Sequence, residues 1–439
     1  MLRRPIYEVI KRQRVLIEVF HGKETVYNLE NKGIWNEQKT INSHKLSNWI
    51  REMFLPVGFP NTVHRSYFKV HLWQFVETLA GSIISVLTAE AMLSSVGANS
   101  PIGSGAASVA IQWTLKDGFG EMGKLLFIQR YSYLFDSLPR TWKCIGEIAS
   151  VTGAGCQMLT IFFPSQFLLF ASLGYALRGV HYSIWSATHT TFNNLSAIQG
   201  NNIGDLVAKD DSQLSLAHLC GLGIGVSILS FSTDVTLLMG IYMVISACQL
   251  YMTYALVKAA DFEVLNFPRM RLICKQYVDT GFVPSCLDLK SKEHWLGEWN
   301  LTHPGLVKIR MCQKVQDIKN DSYLSDRLEI LKDEKYLLAI DEFSGEYLVL
   351  LHQDATGQDV LRAILHGSQY NVLEYLGMEG FYRSYEWSRT QFPPMYERLE
   401  QLDWNVDSIV WSDNGVRVRW RDIEQYPEQE NLSIKIKSV

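Results

Sequence analysis

The 439-residue sequence lacks most of the marks by which a functional class is read. Its seven cysteines, at 144, 156, 220, 248, 274, 286 and 312, form no CxxC pair and are odd in number, so neither a disulfide framework nor a zinc site is expected. Cys156, Cys220 and Cys248 sit inside apolar runs and read as small hydrophobes. There is no GxxxxGKS phosphate loop, no dinucleotide fingerprint followed by an acid, and no Ser-His-Asp pattern. No catalytic residue is therefore assigned, no cofactor is expected, and the chain is read as a non-enzyme. A formal net charge of −4 offers no basic surplus for nucleic acid. The N-terminal MLRRPIYEVIKRQRVLIEVF has basic residues but no unbroken apolar core. It lacks the Ser-rich, acid-poor look of a transit peptide, so no cleaved targeting segment is expected.

Charge is scarce in one place above all. Hydrophobic residues make up 47% and charged residues 20% of the chain, an ordinary average. Residues from about 72 to 257, however, hold few charges and much Gly, Ala, Ser, Leu and Ile. Six apolar segments follow one another there, at about 72–96, 102–115, 145–163, 167–188, 214–232 and 235–257. The last two approach the roughly 20 residues that cross a bilayer and contain no charge. Thr233-Asp234 alone separates them, which predicts a tight helical hairpin, and Pro164 divides the third from the fourth. Glu77 and Glu90 interrupt the first. A large helical soluble protein could also bury uncharged helices of this length, but two in succession favour a membrane. Lys and Arg in 116–143 and after Val257 would share one side, as the positive-inside rule prefers, whereas the acidic loop at 193–213 does not help.

The flanks differ. Residues 1–40 read as one or two strands ending near Asn31–Gly33, and 43–54 as a helix with Ser43 as N-cap, stopped by LPVGFP. Downstream, 335–354 reads as two strands around a Ser344-Gly345 turn and 356–376 as a helix. A second helix is predicted over 394–402, and 408–420 as a hairpin turning at Asn414-Gly415.

Four ordered stretches resemble the Root UVB Sensitive family. They are FLPVGFPNTV (54–63), WTLKDGFGEMGKLLF (113–127), FDSLPRTWK (135–143) and QGNNIGDLVAKDDSQ (199–213). The likeness covers roughly residues 50–280, and more loosely the tail. Val57, Glu90 and Leu138 stand where the family more often has an acid, a Gln and an acid. The resemblance implies a membrane-associated protein with links to UV-B response, vitamin B6 homeostasis, auxin transport and early development. It also implies partnership with other family members and supplies no catalytic residues. A vitamin B6 vitamer is the small-molecule ligand it suggests.

Within these segments a few residues stand out as binding or gating candidates. Lys116, Asp117, Gly118 and Gly120 read either as a gating or ligand-contact loop at the water boundary, or as a plain helix end with an Asp117 salt bridge to Arg140 or Lys143. Arg178 interrupts the fourth segment. A cation at that depth is costly and is expected either to pair with Glu90 or Glu147, or to snorkel to the headgroups. Asp205 and Lys209, with Asn201, Asn202 and Asp210, could offer oxygen ligands, yet their spacing fits no calcium loop. Gly200 ending one helix and Asp211 or Ser212 capping the next is the plainer reading. His181 and His189 share a helical face, and no metal site is assigned to them.

The expectation is a mainly α chain, with a polytopic helical membrane bundle of about six apolar helices and a small α+β C-terminal domain. The divisions are 1–42 strand-rich, 43–284 helical in the membrane, and 285–439 facing water. The function expected is that of a non-enzymatic membrane protein acting through partners, since the resemblance implies that family members cooperate, and the alternative is a small-molecule transporter with Arg178 and acids lining the path. A cavity holding Arg178 would favour the second, and an exposed aromatic patch within 335–420 the first. Membrane lipid is a partner in either case, nucleic acid in neither, and which membrane is left open.

Overall fold

The computed structural model describes residues 15–20, 23–29, 35–37, 45–99, 106–198, 202–290, 306–311, 314–318 and 321–420. Ser43, Gly200 and Asn201 lie outside them. The chain divides into two compact units, residues 1–126 with 143–262, and 127–142 with 263–439.

The first unit opens with three antiparallel strands, β1 (Val15–Phe20), β2 (Lys23–Leu29) and β3 (Trp35–Glu37). The sequence predicted one or two strands ending near Gly33; β3 begins beyond that point. Helix α1 (Lys45–Phe54) precedes the LPVGFP turn, where Gly58 has φ +78° and the Phe59-Pro60 bond is cis. Then come α2 (Tyr67–Asn99), α3 (Ala106–Tyr131), α4 (Pro139–Leu159), α5 (Phe167–Ser196), α6 (Ile203–Phe231) and α7 (Val235–Ala259). The chain is mainly helical. Among the described residues three helices are long and apolar enough to cross a membrane: Tyr67–Val96, Ile203–Phe231 and Val235–Ala259.

Small residues set the packing. Helix α2 lies against both α6 and α7. A Cβ on Gly221 would stand 2.5 Å from the Leu79 carbonyl oxygen, and one on Gly225 2.8 Å from Val86 Cβ, so these two positions of the GLGIG run bring α6 onto α2. Asp234 caps α7 by accepting the Leu237 N–H at 3.0 Å, which closes the predicted hairpin. The outward faces are apolar. Only 17% of the apolar stretch of α6 and 22% of that of α7 is buried inside the molecule. Leu219, Val226 and Phe231 on α6, and Met243, Val244 and Tyr251 on α7, are exposed.

The second unit contains the end of α3, the start of α4, and β4 (Val264–Asn266), α8 (Phe267–Thr280), α9 (Cys286–Lys290) and β5 (Ile309–Met311). It continues through α10 (Leu324–Ile330), β6 (Tyr336–Asp341), β7 (Glu346–Leu351), α11 (Gly357–Leu373), α12 (Met378–Gln401) and β8 (Asn405–Val410). Strands β6 and β7 form the predicted antiparallel hairpin, with Gly345 at φ +64°, and β5 joins β7 in parallel. Leu338, Val349, Val360, Leu361 and Ile364 pack between this sheet and α11. Full burial of each such side chain is worth about 1.5–3 kcal/mol.

Two predictions fail in this unit. The second helix begins at Met378 rather than 394 and runs through Pro393 and Pro394. Its buried stripe of Phe381, Ser384, Tyr385, Ser388, Phe392, Met395 and Leu399 holds it together across the prolines. Residues 408–420 form no hairpin: β8 pairs in parallel with β4, and Val418 bridges to His352. Asn414-Gly415 does turn, with Gly415 at φ +78°, but long-range pairing takes the strands on either side.

Candidate functional site

The sequence read WTLKDGFG as an interruption, yet α3 runs unbroken through it. Lys116 is fully buried. Its Nζ lies 2.6 Å from Asp117 Oδ1, 4.1 Å from the Trp113 ring centroid and 3.8 Å from that of Tyr175 on α5. Asp117 thus bonds its own neighbour. The glycines serve helix contact rather than a turn. A Cβ on Gly120 would meet Tyr175 Cβ at 2.7 Å and one on Gly123 would meet Ala176 Cβ at 2.9 Å, while Gly118 faces open space.

Asp205 and Lys209 lie in the first two turns of α6, not in a loop, and Asp211 and Ser212 lie inside that helix rather than capping it. They clamp the LPVGFP turn. Asp205 Oδ2 accepts the Val57 N–H at 2.7 Å, Lys209 donates to the Glu52 carbonyl at 2.5 Å, and Gln213 donates to that of Phe54 at 2.6 Å. Two of the recognised motifs therefore hold each other. Glu90 accepts only a local bond, from Ser94 at 2.7 Å.

Arg178 lines a cavity of about 480 Å³ bordered by α2, α4, α5, α6 and α7, as do Glu147 and His181, whereas Lys116, Asp117, Gly118, Gly120, Glu90, Asp205 and Lys209 do not. The carboxylate partners expected for Arg178 are engaged elsewhere. Nη1 donates to Gln157 Oε1 at 3.1 Å and Thr88 Oγ1 at 3.4 Å, and Nη2 to Ser85 Oγ at 2.7 Å. Glu147 instead accepts from Gln249 Nε2 and lies 3.7 Å from Lys143 Nζ. Lys143 donates to Glu77 Oε2 at 2.8 Å, and Thr253 donates to Glu77 Oε1 at 2.5 Å. One lysine thus lies between two buried carboxylates of α2 and α4 and offsets one of their two charges, with α7 supplying neutral donors.

Further along α2 stands a second polar group. His189 Nδ1 lies 2.8 Å from Gln74 Nε2, and its Nε2 lies 2.7 Å from Asp210 Oδ2 and 3.2 Å from Asn193 Nδ2. His71 Nδ1 donates to Asp210 Oδ1 at 2.9 Å, and Asn193 Nδ2 to Oδ2 at 2.9 Å. His181 bonds the Gly146 carbonyl at 3.0 Å. Among the described residues no three His, Cys, Asp or Glu side chains gather as metal ligands.

Sequence reasoning missed His71, Gln249 and Thr253, and it named Glu77, Lys143, Glu147 and Asp210 without finding the partners they have here. A signal was available. His71, Gln74, Thr78, Ser82, Ser85 and Thr88 recur every three or four positions of α2, and Lys143, Glu147 and Ser150 do the same on α4. Such a stripe on an apolar helix marks the side turned toward a polar interior. The stripe is also deep. The apolar stretches 72–96, 214–232 and 235–257 have midpoints near Ile84, Gly223 and Ser246. Ser82, Ser85 and Gln249 of the cavity lie within about one turn of the first and third midpoints, and His218 lies five residues before the second.

A family profile described as "Vitamin B6 photo-protection and homoeostasis domain" matches residues 40–281. "Protein root UVB sensitive 5" of Arabidopsis thaliana is 28% identical over 378 residues, 83% of this chain and 74% of its own. "Protein root UVB sensitive 6" of the same plant is 28% identical over 375 residues, 85% of this chain and 73% of its own. "RUS family member 1" of Dictyostelium discoideum is 27% identical over 300 residues, 66% of this chain and 56% of its own. No solved structure matches.

Proposed function

The chain belongs to the Root UVB Sensitive family, and on that premise we propose that it is a non-enzymatic membrane protein whose helical unit binds a small polar molecule and passes it across the bilayer. On this reading α2 to α7 form a membrane bundle of about six helices, and residues 285–439 a water-facing α+β domain. The observation that carries it is the polar cavity at mid-depth of three apolar helices. Charges in membrane helices face the bundle interior, pair with one another or line a wet cavity, and Arg178, Glu77 and Lys143 border this one. Substrate sites of transporters lie at this depth. The family description makes a vitamin B6 vitamer the first solute to test.

Two measurements test the reading. The protein should stay in the pellet after an alkaline carbonate wash. Vesicles holding the purified protein should take up labelled pyridoxine faster than protein-free vesicles. Release by carbonate, or equal uptake, contradicts it.

A second reading, action through partners including other family members, is favoured by exposed apolar and aromatic side chains in the other unit. Val372, Tyr375 and Tyr382 near the α11–α12 junction, and Phe343 in the β6–β7 turn, are solvent-facing. Capture of a second family member that is lost in Tyr375→Ser with Tyr382→Ser would support it.

A further inference from the structure

We propose that the cavity takes its ligand by an anionic group, a phosphate or carboxylate, seated on Arg178 and Ser85; this rests on the cavity being the ligand site.

Glu77 and Glu147 face the cavity, and their oxygens are hydrogen-bonded by Lys143, Thr253 and Gln249, with Lys143 the one cation among these donors. Asp211 lies exposed at the cavity margin. Arg178 differs. Its three recorded bonds all end on neutral oxygens, of Ser85, Thr88 and Gln157. No carboxylate of the described residues ion-pairs with it. A guanidinium has five N–H donors, so two remain after those three bonds, and neighbouring donors of that fork match the paired oxygens of a carboxylate or phosphate.

The hydroxyls continue the pattern. Thr88 spends its hydrogen on the Ser85 carbonyl at 3.0 Å. Ser85 Oγ accepts from Arg178 and has no recorded acceptor for its own hydrogen, which leaves a donor beside the guanidinium. A half-buried cation with spare donors, held by neutral groups in a low-dielectric wall, attracts an anion more strongly than water at the surface would allow.

The wall also fixes where the cation sits. A Cβ on Gly153 would lie 2.8 Å from the Gly174 carbonyl oxygen and 3.1 Å from Arg178 Cγ, so this glycine admits the arginine stem between α4 and α5. The packing of α4 against α5 places the arginine stem.

The test uses the full chain in detergent, with binding measured at constant ionic strength for inorganic phosphate, pyridoxal 5′-phosphate and uncharged pyridoxine. Wild type should bind both phosphate probes, and pyridoxal 5′-phosphate at least tenfold more tightly than pyridoxine. Arg178→Gln should weaken the phosphate probes about 10- to 100-fold and leave pyridoxine within about threefold, since hydrogen bonds to a charged group are worth about 1.5–3 kcal/mol. Should Arg178→Gln fail to fold, Arg178→Lys and Ser85→Ala replace it. Lysine keeps the charge but not the fork, and each variant should lose about three- to tenfold for phosphate. Equal binding of the two vitamers, or phosphate affinity unchanged in these variants, overturns the anion site while the cavity reading stands. Binding of none of the three probes overturns both.

Discussion

Lys143 holds two carboxylates at once, so the helical unit depends on it. Replacing it with methionine leaves Glu77 and Glu147 buried without a cation. Breaking a buried charge pair from one side typically costs about 3–5 kcal/mol. Lys143→Met should therefore lower thermal stability strongly, and Lys143→Met with Glu77→Gln should recover part of the loss, because the second change removes the orphaned charge. A single mutant within about 0.5 kcal/mol of wild type would contradict the network. In the other unit, burial pushes the His366 imidazole down to about 3 from its ordinary 6.5. The unfolded chain then binds a proton that the folded chain refuses. Stability is full above pH 6.5 and falls as pH drops toward 3, by up to about 1.4 kcal/mol per pH unit. His366→Phe, among Tyr336, Phe381 and Tyr385, should flatten that part of the pH–stability curve. An unchanged slope would refute the assignment.

The glycines separate packing from flexibility at the level of the helix. Gly118 and Gly120 sit two positions apart in α3, one facing open space and the other 2.7 Å, as a Cβ, from Tyr175. Gly118→Ala should stabilise by roughly 0.5–1 kcal/mol through helix propensity. Gly120→Ala should destabilise by about 1–3 kcal/mol by forcing α3 from α5. Equal effects in thermal unfolding would return the segment to the loop that the sequence suggested. The contrast also shows what was legible. Pro164, Asp234 and the uncharged run of α7 act through near neighbours, so the sequence displayed them. Lys116 becomes tolerable inside a helix only because Tyr175, far along the chain, covers it. Arg178 takes hydroxyl and amide partners from α2 and α4, and Asp210 collects histidines from α2 and α5. Strand β8 likewise pairs with β4 and leaves the predicted hairpin unmade. Local pattern carries no trace of such pairings, although the polar stripe on α2 was there to be read.

For the whole molecule the central claim is that hydrocarbon surrounds the helices that enclose the cavity. Two native thiols report on it directly. Cys220 on α6 and Cys248 on α7 are exposed, lie within a turn of the midpoints of their apolar spans, and do not line the cavity. In sealed membranes both a permeant and a charged, membrane-impermeant maleimide should leave the two unlabelled, because a thiol in hydrocarbon forms little of the reactive thiolate, and denaturation in detergent should make both react, with each site read by peptide mass. Labelling of Cys220 and Cys248 by the charged reagent at the rate of a surface thiol would place α6 and α7 in water and contradict the account.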